Sequence, residues 1–444
     1  MVKLKSLQLI GLTGLSLAMA LSGCSTNKGA NTAPATATPA ASASTGAAAT
    51  KAPEPAKSGE KVTVNFWTPF SGNDGPFMKK IVDKYNASQD KYTVKMTIQP
   101  SGDYYKLLDT AIATKKGIPD VAIMHLDQTP TYIAKDLLQP LDDIAKAAGV
   151  EKSNFPDATV DYATKDGKWY SIPLDIHPLV MYYNKDLFAA AGITKPPTNR
   201  EEFVEDAKKL TDPSKGIWGA AMPTFWIQNF LFPTILFQNG GSFVDDKGNI
   251  AYNSPAGVEA VTFMRSLTTM KVSPPTVAQD GDFNLFQQGK SAMHFNGPWS
   301  KDAFDKAKIN YGVAPVPQLG TVKQAVFAGS HNFVIPKSTT DANVLAGVGD
   351  FLKYVSANSI DWAESGQAVA SKAVRESAAF KAMTQQQTEV AKEFDYVQFA
   401  PKILNWGPIS DSIWSELANA LQGKKDPKQA LDDAAAKSTQ AMKK

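Results

Sequence analysis

The stretch Asp120-Val121-Ala122-Ile123-Met124-His125-Leu126-Asp127-Gln128 decides the fold class. Its continuous apolar run, bounded by polar residues, is the composition of a strand covered on both faces, as in the middle of a parallel sheet. Upstream, Val62, Val64 and Phe66 alternate with polar residues, as do Tyr92, Val94, Met96 and Ile98, and both runs read as strands. Between them Pro76 suits a first helical turn, and Phe77, Met78, Ile81, Val82 and Tyr85 fall on one face. A second helix follows, with Asp103 at its N-cap and Tyr104, Leu107, Leu108, Ala111 and Ile112 on its stripe. Strand, helix, strand, helix, strand predicts an α/β fold built on a parallel sheet.

The pattern resumes further along. Leu179 to Tyr183 reads as a strand, and Thr198 with Glu201 predicts a capping box ahead of Phe203, Val204, Ala207 and Leu210. Ser254-Pro255 opens another helix, Ala292 to Phe295 and Asn332 to Ile335 are short apolar runs, and Asp426-Pro427 opens the last helix. Residues 61–444 exceed one typical hydrophobic core, so two domains are expected.

The N-terminal region has a different character. Lys3 and Lys5 precede a mostly apolar stretch from Leu9 to Leu21, the layout of an export signal over residues 1–23. Interrupted by Gly11, Thr13, Gly14 and Ser16, it falls short of the roughly 20 apolar residues that a spanning helix needs. Its end, Leu21-Ser22-Gly23-Cys24, resembles the lipobox of bacterial lipoproteins, in which the cysteine is acylated and becomes the new N-terminus. Cys24 is the only cysteine, which excludes an internal disulfide and gives the lipid-attachment reading a use for the lone thiol. From Ser25 to Glu60 the chain has 12 Ala and 4 Pro, so 24–60 reads as a lipidated cysteine and flexible tether. Its random-coil reach is about 30 to 36 Å. With 46 basic and 43 acidic residues the net charge is +3, and no nucleic-acid partner or polybasic membrane patch is expected.

A search for reactive chemistry finds little. There is no G-x-S-x-G, H-E-x-x-H or G-x-G-x-x-G, and Gly289-Lys290-Ser291 lacks the first glycine of a phosphate loop because Asn284 stands there. His125, His177, His294 and His331 are too dispersed for a helical metal pair, although they are free to converge in space. Carboxylates are abundant, and nothing marks a pair of them as acid and base. No enzyme, cofactor or metal is expected. The aromatic residues say more, because sugar rings lay apolar C–H faces on indole or phenol rings while their hydroxyls need planar polar partners. Trp67-Thr68-Pro69-Phe70 and His125-Leu126-Asp127-Gln128 each follow a strand, and open α/β sheets bind ligands beyond such ends.

Longer motifs carry a resemblance. Gly167-Lys168-Trp169-Tyr170-Ser171-Ile172-Pro173, then Val180-Met181-Tyr182-Tyr183-Asn184-Lys185-Asp186-Leu187-Phe188, then Ala191-Gly192-Ile193 and Pro197-Thr198 are similar to the extracellular solute-binding proteins of ABC importers. They match the sugar-binding group that includes maltose-binding protein. Gly117 to Asp120, Phe286 to Met293 leading into Gly297-Pro298-Trp299, and Ala430-Leu431-Asp432 extend the match over nearly all of 61–444. The resemblance implies a two-lobed, type II periplasmic-binding-protein-like fold with hinge-linked lobes. Residues 61–174 and 327–368 would form lobe one, and 175–326 with 369–444 lobe two. The crossings are expected near 174–177, 326–329 and 366–370, where hinge closure on a ligand is the family's motion.

The same resemblance assigns Trp299 to sugar stacking, Trp67 to an aromatic position after the first strand, and Asp127 to a polar contact after the third. Asp175 and His177 fall in the first crossing. Trp226, His331 and Trp406 complete the expected ligand-binding set, with Phe225, Gln228, Asn239 and Ser330 as weaker members. For each of these, packing in a core is the competing role. A monomeric, lipid-anchored protein on the extracytoplasmic face of the cell membrane is implied. Its partners would be a sugar or oligosaccharide and the permease subunits of an ABC transporter. The alternatives are a surface-anchored carbohydrate-active enzyme and a sensory or adhesive sugar-binding lipoprotein. Only Arg200, Arg265 and Arg375 occur, which favours a neutral ligand over an anionic one.

Overall fold

The computed structural model describes residues 61–383 and 385–443. The expected signal segment, Cys24 and the tether lie outside the described residues. Three sheets organise the chain. The first has the order Tyr92–Ile98, Val62–Thr68, Val121–His125, His331–Val334, Ile172–Pro173, and only His331–Val334 runs against its neighbours. In the second, ordered Tyr311–Pro315, Val180–Asn184, Ser291–Asn296, Trp218–Ala220, only Val180–Asn184 is reversed. The third joins Ala368–Val369, Asp175–Pro178, Val326–Gly329 and Val397–Gln398.

The two reversed strands have one cause. Each is the direct continuation of a strand of the third sheet: Asp175–Pro178 leads into Val180–Asn184, and Val326–Gly329 into His331–Val334. A chain that enters a sheet from the crossing must run opposite to strands that arrive there. The carboxyl ends of Val62–Thr68 and Val121–His125 therefore share an edge with the crossing strands, and so do those of Ser291–Asn296 and Trp218–Ala220.

Each large sheet has its own core. Val64, Phe66, Ile81, Tyr85, Val121, Ile123, Phe333, Phe351 and Trp362 form one, and Met181, Phe203, Leu231, Phe232, Met264, Met293, Ile409 and Leu431 the other. Val369, Ala370, Val374 and Phe380 join the first core, whereas the sequence division put everything from 369 onward in the second lobe. The apolar face of Gly75–Ser88 (Met78, Ile81, Val82 and Tyr85) is buried as its periodicity predicts.

Capping differs in detail. Asp103 precedes Tyr104–Thr114 without a side-chain cap bond. The expected Thr198 and Glu201 box is shifted by one residue: Asn199 accepts the N–H of Glu202, and Glu202 accepts both N–H and Oγ1–H of Thr198. Asn199 wins because its short amide reaches the first-turn amide directly. Asp426 caps Pro427–Ala441 as expected. Among the described residues no helix is long and apolar enough to cross a membrane.

Phe351 is fully buried, with its ring 5.5 Å from Phe66, 5.1 Å from Tyr85 and 6.1 Å from Phe333. Phe351→Ala should cost about 3–5 kcal/mol in urea unfolding. A loss below about 1 kcal/mol would contradict this close packing.

Candidate functional site

Asp175 opens the crossing strand Asp175–Pro178, which pairs with Val326–Gly329 on one side and Ala368–Val369 on the other. Its carboxylate is fully buried and accepts four N–H bonds. Oδ1 takes Nδ1–H of His177 at 2.9 Å and the backbone N–H of His331 at 3.0 Å. Oδ2 takes Nδ1–H of His331 at 2.8 Å and the indole N–H of Trp362 at 2.7 Å. The register sets His177 against Gly329, where a β-carbon would lie 2.1 Å from Nε2 of the imidazole, so only glycine fits.

Three of the four histidines converge here, an arrangement invisible in their sequence spacing. The rings of His177 and His331 are 4.3 Å apart, and His125 lies 4.9 Å from His331. His125 enters from the end of Val121–His125, its Nδ1 2.7 Å from the Tyr105 hydroxyl, which also accepts its backbone N–H. Burial alone would raise the Asp175 carboxyl, but the charges and N–H donors of His331 and His177 hold it well below the carboxylate range. Burial would lower His331, yet the charge and hydrogen bond of Asp175, helped by Asp74, raise it. Burial and then the charge of His331 lower His177, and burial followed by both neighbouring imidazoles lowers His125 well below its ordinary value. Asp74, on the loop after the first strand, is raised by burial. The hub thus favours the ionised Asp175 carboxylate and the protonated form of His331, and disfavours protonation of His177 and His125. Asp175, His177 and His331 stand close enough to chelate a cation. Both imidazoles, however, turn Nδ1–H toward the carboxylate, so a metal would have to displace the hydrogen bonds that define the group.

Trp299 stands beside this hub. It follows Ser291–Asn296 on the Gly297-Pro298 turn, with its ring 5.7 Å from His177 and 5.6 Å from Phe230. The indole folds back over Gly297, where a β-carbon would come within 2.0 Å of it, which is the physical content of the Gly-Pro-Trp motif. Trp67 is partly buried against the cluster of Tyr104, Met124 and Tyr132. Asp127 sits on the turn Leu126–Gln128, hydrogen-bonded to the Gln128 amide at 2.9 Å, its carboxyl raised by burial. Trp226 is 61% exposed, with the Phe225 ring tilted against it at 4.9 Å between centroids.

Several expectations are corrected. Trp406 is buried, edge-on to Phe243 at 4.8 Å in the second core, because it begins a helix whose apolar face is covered. Asp175 has all four acceptor positions engaged, so it orients the histidines and has none left for a ligand. Ser330 donates to the Asp175 carbonyl, Gln228 to the Trp414 carbonyl and Asn239 to the Ala256 carbonyl, so these three are internal ties. Sequence reasoning missed Tyr105, Asp74 and Phe230; the position of Asp74 after the first strand was the one available signal.

The buried histidines make stability depend on pH. Below about pH 6.5 the unfolded chain protonates them. His294, pushed down to about 3 by burial, and His125, held well below its ordinary value, resist protonation when folded, and His177 is lowered in the same direction. The unfolded state therefore gains protons, and each such histidine removes about 1.4 kcal/mol of stability per pH unit. His331 is protonated in both states there and adds no slope. Its own contribution is complete in acid and lost as pH rises through its raised folded value. Buried carboxyls raised by burial, Glu393 above all, act in the opposite sense, so the test is the difference between proteins: from pH 7 to pH 5, His125→Gln should lose less stability in urea unfolding than the parent, and identical slopes would contradict a His125 that resists protonation.

Comparison with known proteins agrees with this geometry. The family model for bacterial extracellular solute-binding protein matches residues 71–361. The maltooligosaccharide ABC transporter solute-binding lipoprotein of Streptococcus pneumoniae is 29% identical over 377 residues, 81% of this chain and 85% of that protein. The galactooligosaccharide-binding protein of Bacillus subtilis is 26% identical over 374 residues, covering 80% and 85% respectively. The GacH receptor of Streptomyces glaucescens, solved unliganded and with acarbose, superposes with a TM-score of 0.76 at 25% identity over 86% of this chain and 99% of that one. The fold is the type II, two-lobed form of such receptors, and these relatives are binding proteins, not enzymes. A chain whose two sheets meet at a hydrogen-bonded crossing, and whose sequence matches that family model, belongs to the bacterial extracellular solute-binding proteins.

Proposed function

We propose that this protein captures a neutral oligosaccharide between its lobes and delivers it to the permease of an ABC importer from the extracytoplasmic face. The observation that carries the reading is the Trp299 indole beside the imidazoles of the crossing, where strand ends from both large sheets share one edge. An indole offers a flat apolar surface to sugar C–H bonds, and Asp127 and Gln128, on the turn after Val121–His125, are polar groups of the kind that suit hydroxyls. The oligosaccharide receptors among the relatives support the same ligand class.

Ligand that touches both lobes favours the conformation in which they approach, and the permease then reads the closed form. Lobe one comprises 61–174 and 327–368 in this proposal, extended through the Val369 to Phe380 segment that shares its core. The protein acts as a monomer, held by a lipid on Cys24 and a tether long enough to let the lobes move above the bilayer.

A thermal-shift screen with maltose, maltotriose, galacto-oligosaccharides and manno-oligosaccharides should give stabilisation by at least one. Calorimetric titration of that sugar should weaken at least tenfold, about 1.4 kcal/mol, in Trp299→Ala with the melting transition retained. Unchanged titrations would remove Trp299 from the site. Mass spectrometry of the protein from the membrane fraction should find a lipid on an N-terminal Cys24, and an unmodified Cys24 would overturn the anchor.

A further inference from the structure

The loop after Trp218–Ala220 carries strain that the fold alone does not require. Trp226 has φ +75, in the left-handed region where a bulky residue is rarely found. Such conformations are costly and persist only where the surroundings impose them. Trp226 is 61% exposed, so its indole regains little through packing. The constraint lies just upstream. Thr224 Oγ1 donates to Oδ1 of Asp282 at 2.6 Å and accepts the backbone N–H of Asp280 at 3.1 Å. Met222 N–H is tied to Ser273 Oγ at 2.8 Å. Beyond the strained residue, the amides of Gln228 and Asn229 return to the carbonyls of Thr224 and Trp226.

Asp282 is an unusual choice for that anchor. It is 2% exposed, and its second oxygen, Oδ2, is buried without a hydrogen-bond partner among the described residues. A buried, half-satisfied carboxyl is costly and calls for a reason. Burial also pushes this carboxyl upward.

The place of the loop supplies the reason. Trp218–Ala220 runs parallel to Ser291–Asn296, so the loops bearing Trp226 and Trp299 leave the same edge of the sheet. The helix that starts at Gln228 then brings Phe230 to 5.6 Å from Trp299. We propose that Asp282, acting through Thr224, is a positioning residue that fixes the Phe225–Trp226 pair as a second aromatic platform for the ligand held at Trp299. This rests on the carbohydrate reading above. Asp282 makes no contact with the sugar; it sets where the platform stands.

The test uses the full chain with maltotriose as probe. Asp282→Ala and Thr224→Val should each weaken binding about fivefold or more. Asp282→Asn, which keeps an acceptor for Thr224, should stay within about twofold of the parent. Because the anchor works through the indole, Asp282→Ala with Trp226→Ala should bind no worse than Trp226→Ala alone. Additive losses, or parental affinity in both anchor variants, would overturn the proposal. Ligand-free hydrogen exchange over 225–229 should accelerate in Asp282→Ala and Thr224→Val but not in Asp282→Asn. If the parent binds no maltotriose, the carbohydrate reading loses that ligand, and the exchange pattern alone decides whether Asp282 holds the loop. If Asp282→Ala fails to fold, Thr224→Val and Asp282→Asn decide.

Discussion

The buried carboxylate of Asp175 is the constraint on which the architecture turns. Removing an ion from water costs several kcal/mol even after relaxation, and this one is sustained because four N–H donors surround it. The donors come from His177 on one crossing strand, His331 at the start of the next sheet strand, and Trp362 on the helix ahead of the third crossing. No single segment could satisfy the charge. The three passes must lie in register for the carboxylate to be stable, and once they do, the imidazoles beside the cleft are held in one orientation.

The same requirement explains the sheets. Each crossing strand runs without a loop into a sheet strand that points away from the hinge, which produces the single reversed strand in each large sheet. The strands that arrive at the crossing deliver their following loops there; those loops carry Asp127, Trp226 and Trp299, while Trp67 is the penultimate residue of the strand Val62–Thr68 itself. Two close backbone approaches refine the arrangement, His177 over Gly329 and Trp299 over Gly297, and both exclude any side chain larger than hydrogen.

Tryptophan has been divided between two tasks. Trp169 and Trp362 are fully buried and Trp406 nearly so, serving the cores. Trp226 is exposed and Trp299 partly so, both on turns held by hydrogen bonds below them. Indole area exposed at a rim is unfavourable in the absence of a partner. The partition follows from where each residue falls relative to a strand end, which is a property of topology more than of local composition.

The sequence by itself determined the alternating strands, the amphipathic helices and the α/β class, because those depend on patterns within a few residues of one another. Trp299 was singled out through the family's Gly-Pro-Trp motif, and the structure adds the local reason for the glycine, which the indole covers. Only the tertiary structure decided that His125, His177 and His331 meet, that Asp175 is consumed by internal bonds, and that Trp406 is buried. Those outcomes depend on register between segments separated by tens to hundreds of positions. A shift of one residue in a strand would turn each of these side chains to the opposite face.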